Sequence, residues 1–142
     1  MQVIGFNLSK ISAEKFNKIS KSRRNMDFEF TDLEKEKVSL LKDSEAVKIT
    51  FKHSLSYESD ENKKNSKLAE ILFEGNIIIS LKKDELKDIT KTWKKKEIPE
   101  GLRIALSNII LQKCTARTIQ LQQELNIPSH IALPKIDIQP KT

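Results

Sequence analysis

The sequence predicts an α+β domain: a four-stranded antiparallel sheet, two C-terminal helices packed on one face, and an extended proline-containing tail. Three observations predict it. Period-two apolar alternation is confined to residues 1–81, helical spacing occupies residues 84–125, and Pro128, Pro134 and Pro140 punctuate the apolar stretch that follows. Strands first and helices afterwards is the order of an α+β domain rather than of alternating βα units. At 142 residues the chain reads as one domain throughout, long enough to bury roughly two thirds of its unfolded surface in a single core.

The elements follow in order. Ile4, Phe6 and Leu8 alternate with Val3, Gly5, Asn7 and Ser9, which predicts a first strand ending near Ile11. Met26, Phe28 and Phe30 alternate with Asn25, Asp27 and Glu29 in a shorter second strand, whose charges suit an edge. From Ala46 to Tyr57 the residues Val47, Ile49, Phe51, His53, Leu55 and Tyr57 share one face, and lysines and hydroxyls share the other. One face is core and the other is wet. The polar run from Glu58 to Ser66 reads as a hairpin loop. Leu68 to Leu81 carries Ala69, Ile71, Phe73, Ile77, Ile79 and Leu81 on its core face, with Gly75 at an expected bulge or bend. Leu68, Leu72 and Ile78 fall on the opposite face, which leaves two readings: a covered patch or an apolar surface outside the core.

Asp84 is placed to cap a helix running to about Lys96, anchored by Leu86, Ile89 and Trp93. The residue before Pro99 is pushed out of the α region, so a second helix starts at Pro99 with Glu100 near the positive end of its dipole. Its apolar positions recur to Leu125, giving a rod of about 40 Å, longer than the ~35 Å of a strand of ten or eleven residues. The helix is therefore expected to project past the sheet or to bend near Thr115 to Thr118. Asn126 suits its C-terminal cap. The tail then places Ile127, Ile131, Leu133, Ile136 and Ile138 between prolines. It cannot continue a helix and is too apolar to hang in water.

Composition narrows the function class. No stretch approaches the ~20 apolar residues of a membrane span, and the N-terminal residues lack a basic segment followed by a long apolar one, so a cytoplasmic protein without membrane insertion is expected. The formal charge of +6 is concentrated near residues 21–24, 63–67 and 91–96. Acidic residues stand close to most of these clusters and the phenylalanines are spaced for burial, which favours solvated faces over a nucleic-acid footprint. Chemistry is thinly represented. His53 lies on an apolar strand face, His130 has no carboxylate or cysteine at a motif spacing, and Cys114 sits on the long helix without an identifiable base. Two histidines and one cysteine match no metal signature, so no enzyme, cofactor or metal site is read here.

The strand-then-helix order resembles a known family. A helix opening on proline and soon carrying an arginine, PEGLRIALSNII from Pro99 to Ile110, and a tail built on prolines, IPSHIALP from Ile127 to Pro134, resemble the export chaperone SecB and its SecB-like relatives, with a composition suited to an archaeal-type member. The resemblance implies a homo-oligomer, dimer or tetramer, that pairs sheets between subunits and holds unfolded or partly folded polypeptides in apolar grooves. The chain departs from it in its basic charge and in a helix about three turns longer than the family pattern between the arginine and the tail proline. On this reading Leu68, Leu72 and Ile78 with Ile127, Ile131, Leu133 and Ile136 line a client-binding groove, and nearby lysines attract acidic or polar flanks of a client. The alternative from another class is a basic nucleic-acid-binding domain acting through residues 21–24 and 91–96.

Overall fold

The computed structural model describes residues 1–19, 21–36, 45–60, 66–134 and 136. Four strands, β1 (Gln2–Lys15), β2 (Ser22–Glu36), β3 (Glu45–Ser59) and β4 (Lys67–Leu81), precede α1 (Lys83–Trp93) and α2 (Glu100–Glu124). Every pairing is antiparallel and the sheet order is β1-β4-β3-β2. The chain thus leaves β1 at one edge and enters β2 at the other. Just after β1, the Phe16 and Asn17 N–H groups both donate to Leu68 O at 2.8 and 3.2 Å, and just before β2 Lys21 O accepts from Asp60 N–H at 3.2 Å.

The two central strands have the expected faces. Val47, Ile49, Phe51, Leu55 and Tyr57 of β3 and Ala69, Ile71, Phe73, Ile77 and Ile79 of β4 are buried toward the helices. α1 contributes Leu86 and Ile89, and α2 contributes Leu106, Ile110, Cys114 and Leu121. Trp93 is a partly buried neighbour of this core rather than its centre, and Lys96 Nζ stands 5.2 Å from its ring. α2 runs unbroken through Thr115 and Thr118, whose hydroxyls donate to Leu111 O and Cys114 O at 2.6 and 2.8 Å. Those back-bonds satisfy the two hydroxyls without a break in the helix.

The edge strands are longer than alternation predicts, and bulges explain the difference. β1 shifts register between Val3 and Gly5 and between Leu8 and Lys10, so Val3 joins Phe6 against the core while Ile4 is exposed. Ile4, Phe6 and Leu8 do not share one face. β2 shifts between Phe30 and Asp32, which puts Phe30 and Leu33, three residues apart, against the same core. A period-two search stops at such a point. Gly75 pairs in regular register with Phe51, and on its other side it stands opposite the β1 bulge between Leu8 and Lys10. Its lack of a side chain admits the β1 backbone: a Cβ at Gly75 would lie 2.1 Å from Asn7 O and 3.0 Å from Leu8 Cα.

The helix ends follow known stop chemistry. Lys82, not Asp84, is the N-cap of α1, because the Glu85 carboxylate reaches back to accept from Lys82 N–H at 3.1 Å. Pro99 caps α2. At the far end Asn126 has φ 53°, its N–H donates to Gln123 O, and Ile127 N–H donates to Gln122 O at 2.8 Å. This is a Schellman closure, and the apolar residue that follows the turn, Ile127, is buried in the same cluster as Leu121. Lys96, φ 59°, closes α1 through the equivalent pair of bonds, to Trp93 O and from Glu97 to Thr92 O.

Candidate functional site

The tail leaves α2 already committed to the helix-bearing side of the sheet. Tyr57 is fully buried, its hydroxyl donates to Pro128 O, and the oxygen of that hydroxyl accepts from Gln122 Nε2 at 2.8 Å. The second hydrogen of the Gln122 amide meets His130 Nδ1 at 3.0 Å, and Arg24 donates to Ser129 O. Burial raises the Tyr57 pKa and so keeps its hydroxyl a donor, with the Gln122 bond and the Arg24 charge acting the other way. Burial, and secondarily the Arg24 charge, lower the His130 pKa and keep its ring an acceptor. The result is a polar clasp across β2, β3 and α2 that pins residues 128–130. Sequence reasoning missed it. Its signal was present, because Thr118 and Gln122 continue the buried stripe of Leu106, Ile110 and Cys114 along α2.

The seven residues expected to line one groove separate into three groups. Ile127 is 6% exposed and packs in the core with Leu68, which occupies a bulge where β4 shifts register against β3. Leu72 and Ile78 lie on the face of the sheet away from the helices, because their neighbours Ile71, Phe73, Ile77 and Ile79 take the core face. Leu72 sits there at the base of a polar depression of about 290 Å³ with Lys67 and Glu70. Ile131, Leu133 and Ile136 are 43%, 39% and 99% exposed on the tail. A single wall built from all seven is therefore not formed within the chain: the clasp holds the tail on one side of the sheet and Leu72 and Ile78 are on the other. Ile138 lies outside the described residues.

A different concave surface follows the free edge of β2. Phe28 and Phe30 face the helix side, Phe28 stacked on His53 with ring centroids 4.3 Å apart, yet both are only partly buried. Between them and the α1–α2 connection lies a cavity of about 810 Å³ of mixed polarity, bounded by Glu29 on the strand side and by Thr92, Lys96, Glu97, Ile98, Pro99, Glu100 and Arg103 on the helix side. Along β2 the order is then Arg24 with the clasped tail, Phe28 and Phe30 with this cavity, and Lys35 at the far end. That run is about 36 Å at ~3.3 Å per residue. The opposite edge, β1, exposes Leu8 and Ile11, and α2 exposes Ile104.

The groups expected to be chemically quiet have structural surroundings. His53 is buried, its Nδ1 3.1 Å from Asp27 O, and burial lowers its pKa, with the Asp27 bond acting the other way and the His130 charge adding to the fall. Burial pushes the Cys114 thiol up to about 11, far from the thiolate that a nucleophile requires. Among the described residues no group of three His, Cys, Asp or Glu side chains is placed to hold a metal ion.

No family model and no curated protein sequence matches the chain. Among solved structures it is similar to the Mycobacterium tuberculosis SecB-like chaperone Rv1957 in complex with a ChAD peptide from the Rv1956 HigA1 antitoxin, with a TM-score of 0.54 and 15% identity over 99% of this chain and 92% of that one. The fold is SecB-like. The four-stranded antiparallel sheet followed by two helices is thus the architecture that the strand-then-helix order predicted.

Proposed function

We propose that this protein is a chaperone-like binder that holds unfolded or apolar polypeptide segments along the free edge of β2. The observation that carries the reading is the half-covered pair Phe28 and Phe30 beside the 810 Å³ cavity, next to a strand edge that no other described strand pairs. An extended segment docked there adds a strand to the sheet and places alternate side chains in the cavity. The exposed tail residues Ile131, Leu133 and Ile136 extend the apolar surface from the Arg24 end. Leu68 and Ile127 serve the core instead, and Leu72 and Ile78 face away. The SecB-like neighbour is itself a chaperone bound to a peptide, which supports the same reading.

Homo-oligomerisation belongs to this proposal. The β1 edge leaves Leu8 and Ile11 uncovered, and a second copy pairing there shields both. A light-scattering mass of a dimer or tetramer is expected. Function is tested by the light scattering of reduced, denatured lysozyme diluted into buffer. Suppression of aggregation at a near-stoichiometric ratio is expected, and no suppression by the folded protein at several-fold excess removes the proposal.

A further inference from the structure

The cavity beside Phe28 and Phe30 continues past Pro99. It shares Thr92, Glu97 and Pro99 with a depression of about 460 Å³, which in turn shares Lys91 with a third of about 380 Å³ between α1 and the strand ends. The third is walled by Lys35 of β2, by Lys83, Lys87 and Lys91 of α1 and by its C-cap Lys94, above Leu86. On a helix, positions 83, 87, 91 and 94 fall within an arc of about 80° and climb ~6 Å per four residues. None of these five lysines forms an ion pair with a described residue. Glu45 is the one carboxylate among the described lining residues. Five ammonium groups around a partly apolar floor concentrate positive potential that the described lining leaves largely unneutralised.

We infer that this lysine trough receives the acidic flank of a bound polypeptide whose apolar stretch occupies the Phe28–Phe30 cavity, so that the protein selects segments pairing an apolar run with neighbouring Asp or Glu residues. The inference rests on the proposed polypeptide binding and names the client class. Spacing supports it: an extended peptide repeats side chains on one face every ~6.6 Å, close to the ~6 Å rise from Lys83 to Lys87 and from Lys87 to Lys91. Alternate carboxylates thus meet consecutive ammonium groups. A nucleic-acid strand fits less well, because the described lining of the trough has no aromatic side chain for bases to stack on, and Glu45 and Asp88 interrupt the path of a phosphate backbone.

The test uses fluorescein-labelled peptides that share one apolar core and carry four-residue flanks of Asp, Ser or Lys at either end, read by anisotropy at low and physiological salt. The wild-type protein binds an Asp-flanked peptide about tenfold tighter than the Ser-flanked one, the sum of two or three exposed ion pairs. Lys87 and Lys91 are exposed, so Lys87→Glu with Lys91→Glu leaves the fold and the Ser-flanked affinity unchanged while abolishing the preference. Equal affinities for all flanks, or a preference that survives the double substitution, overturn the trough and leave the Phe28–Phe30 cavity standing as the binding site. Binding of no peptide removes both. A labelled single-stranded RNA that binds the wild type, is lost in the double variant and displaces the Asp-flanked peptide assigns the lysines to nucleic acid instead.

Discussion

Replacing Tyr57 by phenylalanine isolates the clasp that holds the tail. The ring stays in its fully buried place and only the hydroxyl is lost, together with its bond to Pro128 O and the 2.8 Å bond from Gln122 Nε2. At about 1 kcal/mol net for each bond, with Gln122, 1% exposed, left short of one partner, the expected loss is about 2–3 kcal/mol. For a domain of this size that lowers Tm by roughly 4–12 °C. One of the two bonds ties the tail directly, so local opening of residues 126–130 becomes easier by about 1 kcal/mol, or some fivefold. Hydrogen exchange reads this at the Ile127 amide, whose partner is Gln122 O. A lowered Tm, with exchange at Ile127 about fivefold faster through a local opening that needs no global unfolding, is expected. An unchanged Tm with unchanged Ile127 exchange would refute the clasp as the device that fixes the tail.

Other outcomes follow from the same geometry. Gly75→Ala forces Asn7 O away from a Cβ only 2.1 Å distant, costing about 2–4 kcal/mol and raising amide exchange along β1, whereas Gly5→Ala, nearest to Ile78 Cδ1 at 3.3 Å, is tolerated; equal stability of the two variants contradicts the close approach. His53 and His130 both titrate below their ordinary value of 6.5 in the folded protein. As pH falls below 6.5 the unfolded chain takes up protons first, so stability declines until the folded-state values are passed, by at most about 1.4 kcal/mol per pH unit for each histidine. Thermal unfolding between pH 7.5 and 5.5 checks the sign, and a Tm that rises on acidification refutes it. Cys114, buried with its thiol raised to about 11, should resist iodoacetamide at pH 8 until the protein is unfolded, as mass spectrometry reports; rapid native labelling would show an open helix face.

The sequence was most legible where burial is one-sided and regular. Expected limits of Ala46 to Tyr57 and Leu68 to Leu81 differ from β3 and β4 by two residues at most, because Val47 to Leu55 and Phe73 to Leu81 keep every second side chain on the core face. Legibility failed where a bulge inverts parity. Ile11 and Ala13 of β1, and Leu33 of β2, resume an apolar pattern out of step with what precedes them. The candidate site divides similarly. The tail's need for support was readable from its prolines and isoleucines, but the separate fates of Ile127 and Ile131 depend on the Schellman turn and on Tyr57, Gln122 and Arg24, which are distant in sequence. The cavity beside Phe28 and Phe30 comes from how far the helices reach across the sheet, a quantity with no local signature.

The sheet order also fixes a timetable. β1 is the first strand synthesised, yet its partner is β4, with Gln2 opposite Ser80. The β2–β3–β4 meander closes by adjacent hairpins, whereas β1 must wait through the synthesis of all three and then close the longest loop in the sheet. A nascent chain on the ribosome therefore carries an unpaired N-terminal strand with Ile4, Phe6, Leu8 and Ile11 uncovered for several seconds at ~5–20 residues per second. Until its own fourth strand emerges, this protein presents the kind of segment that it is proposed to bind.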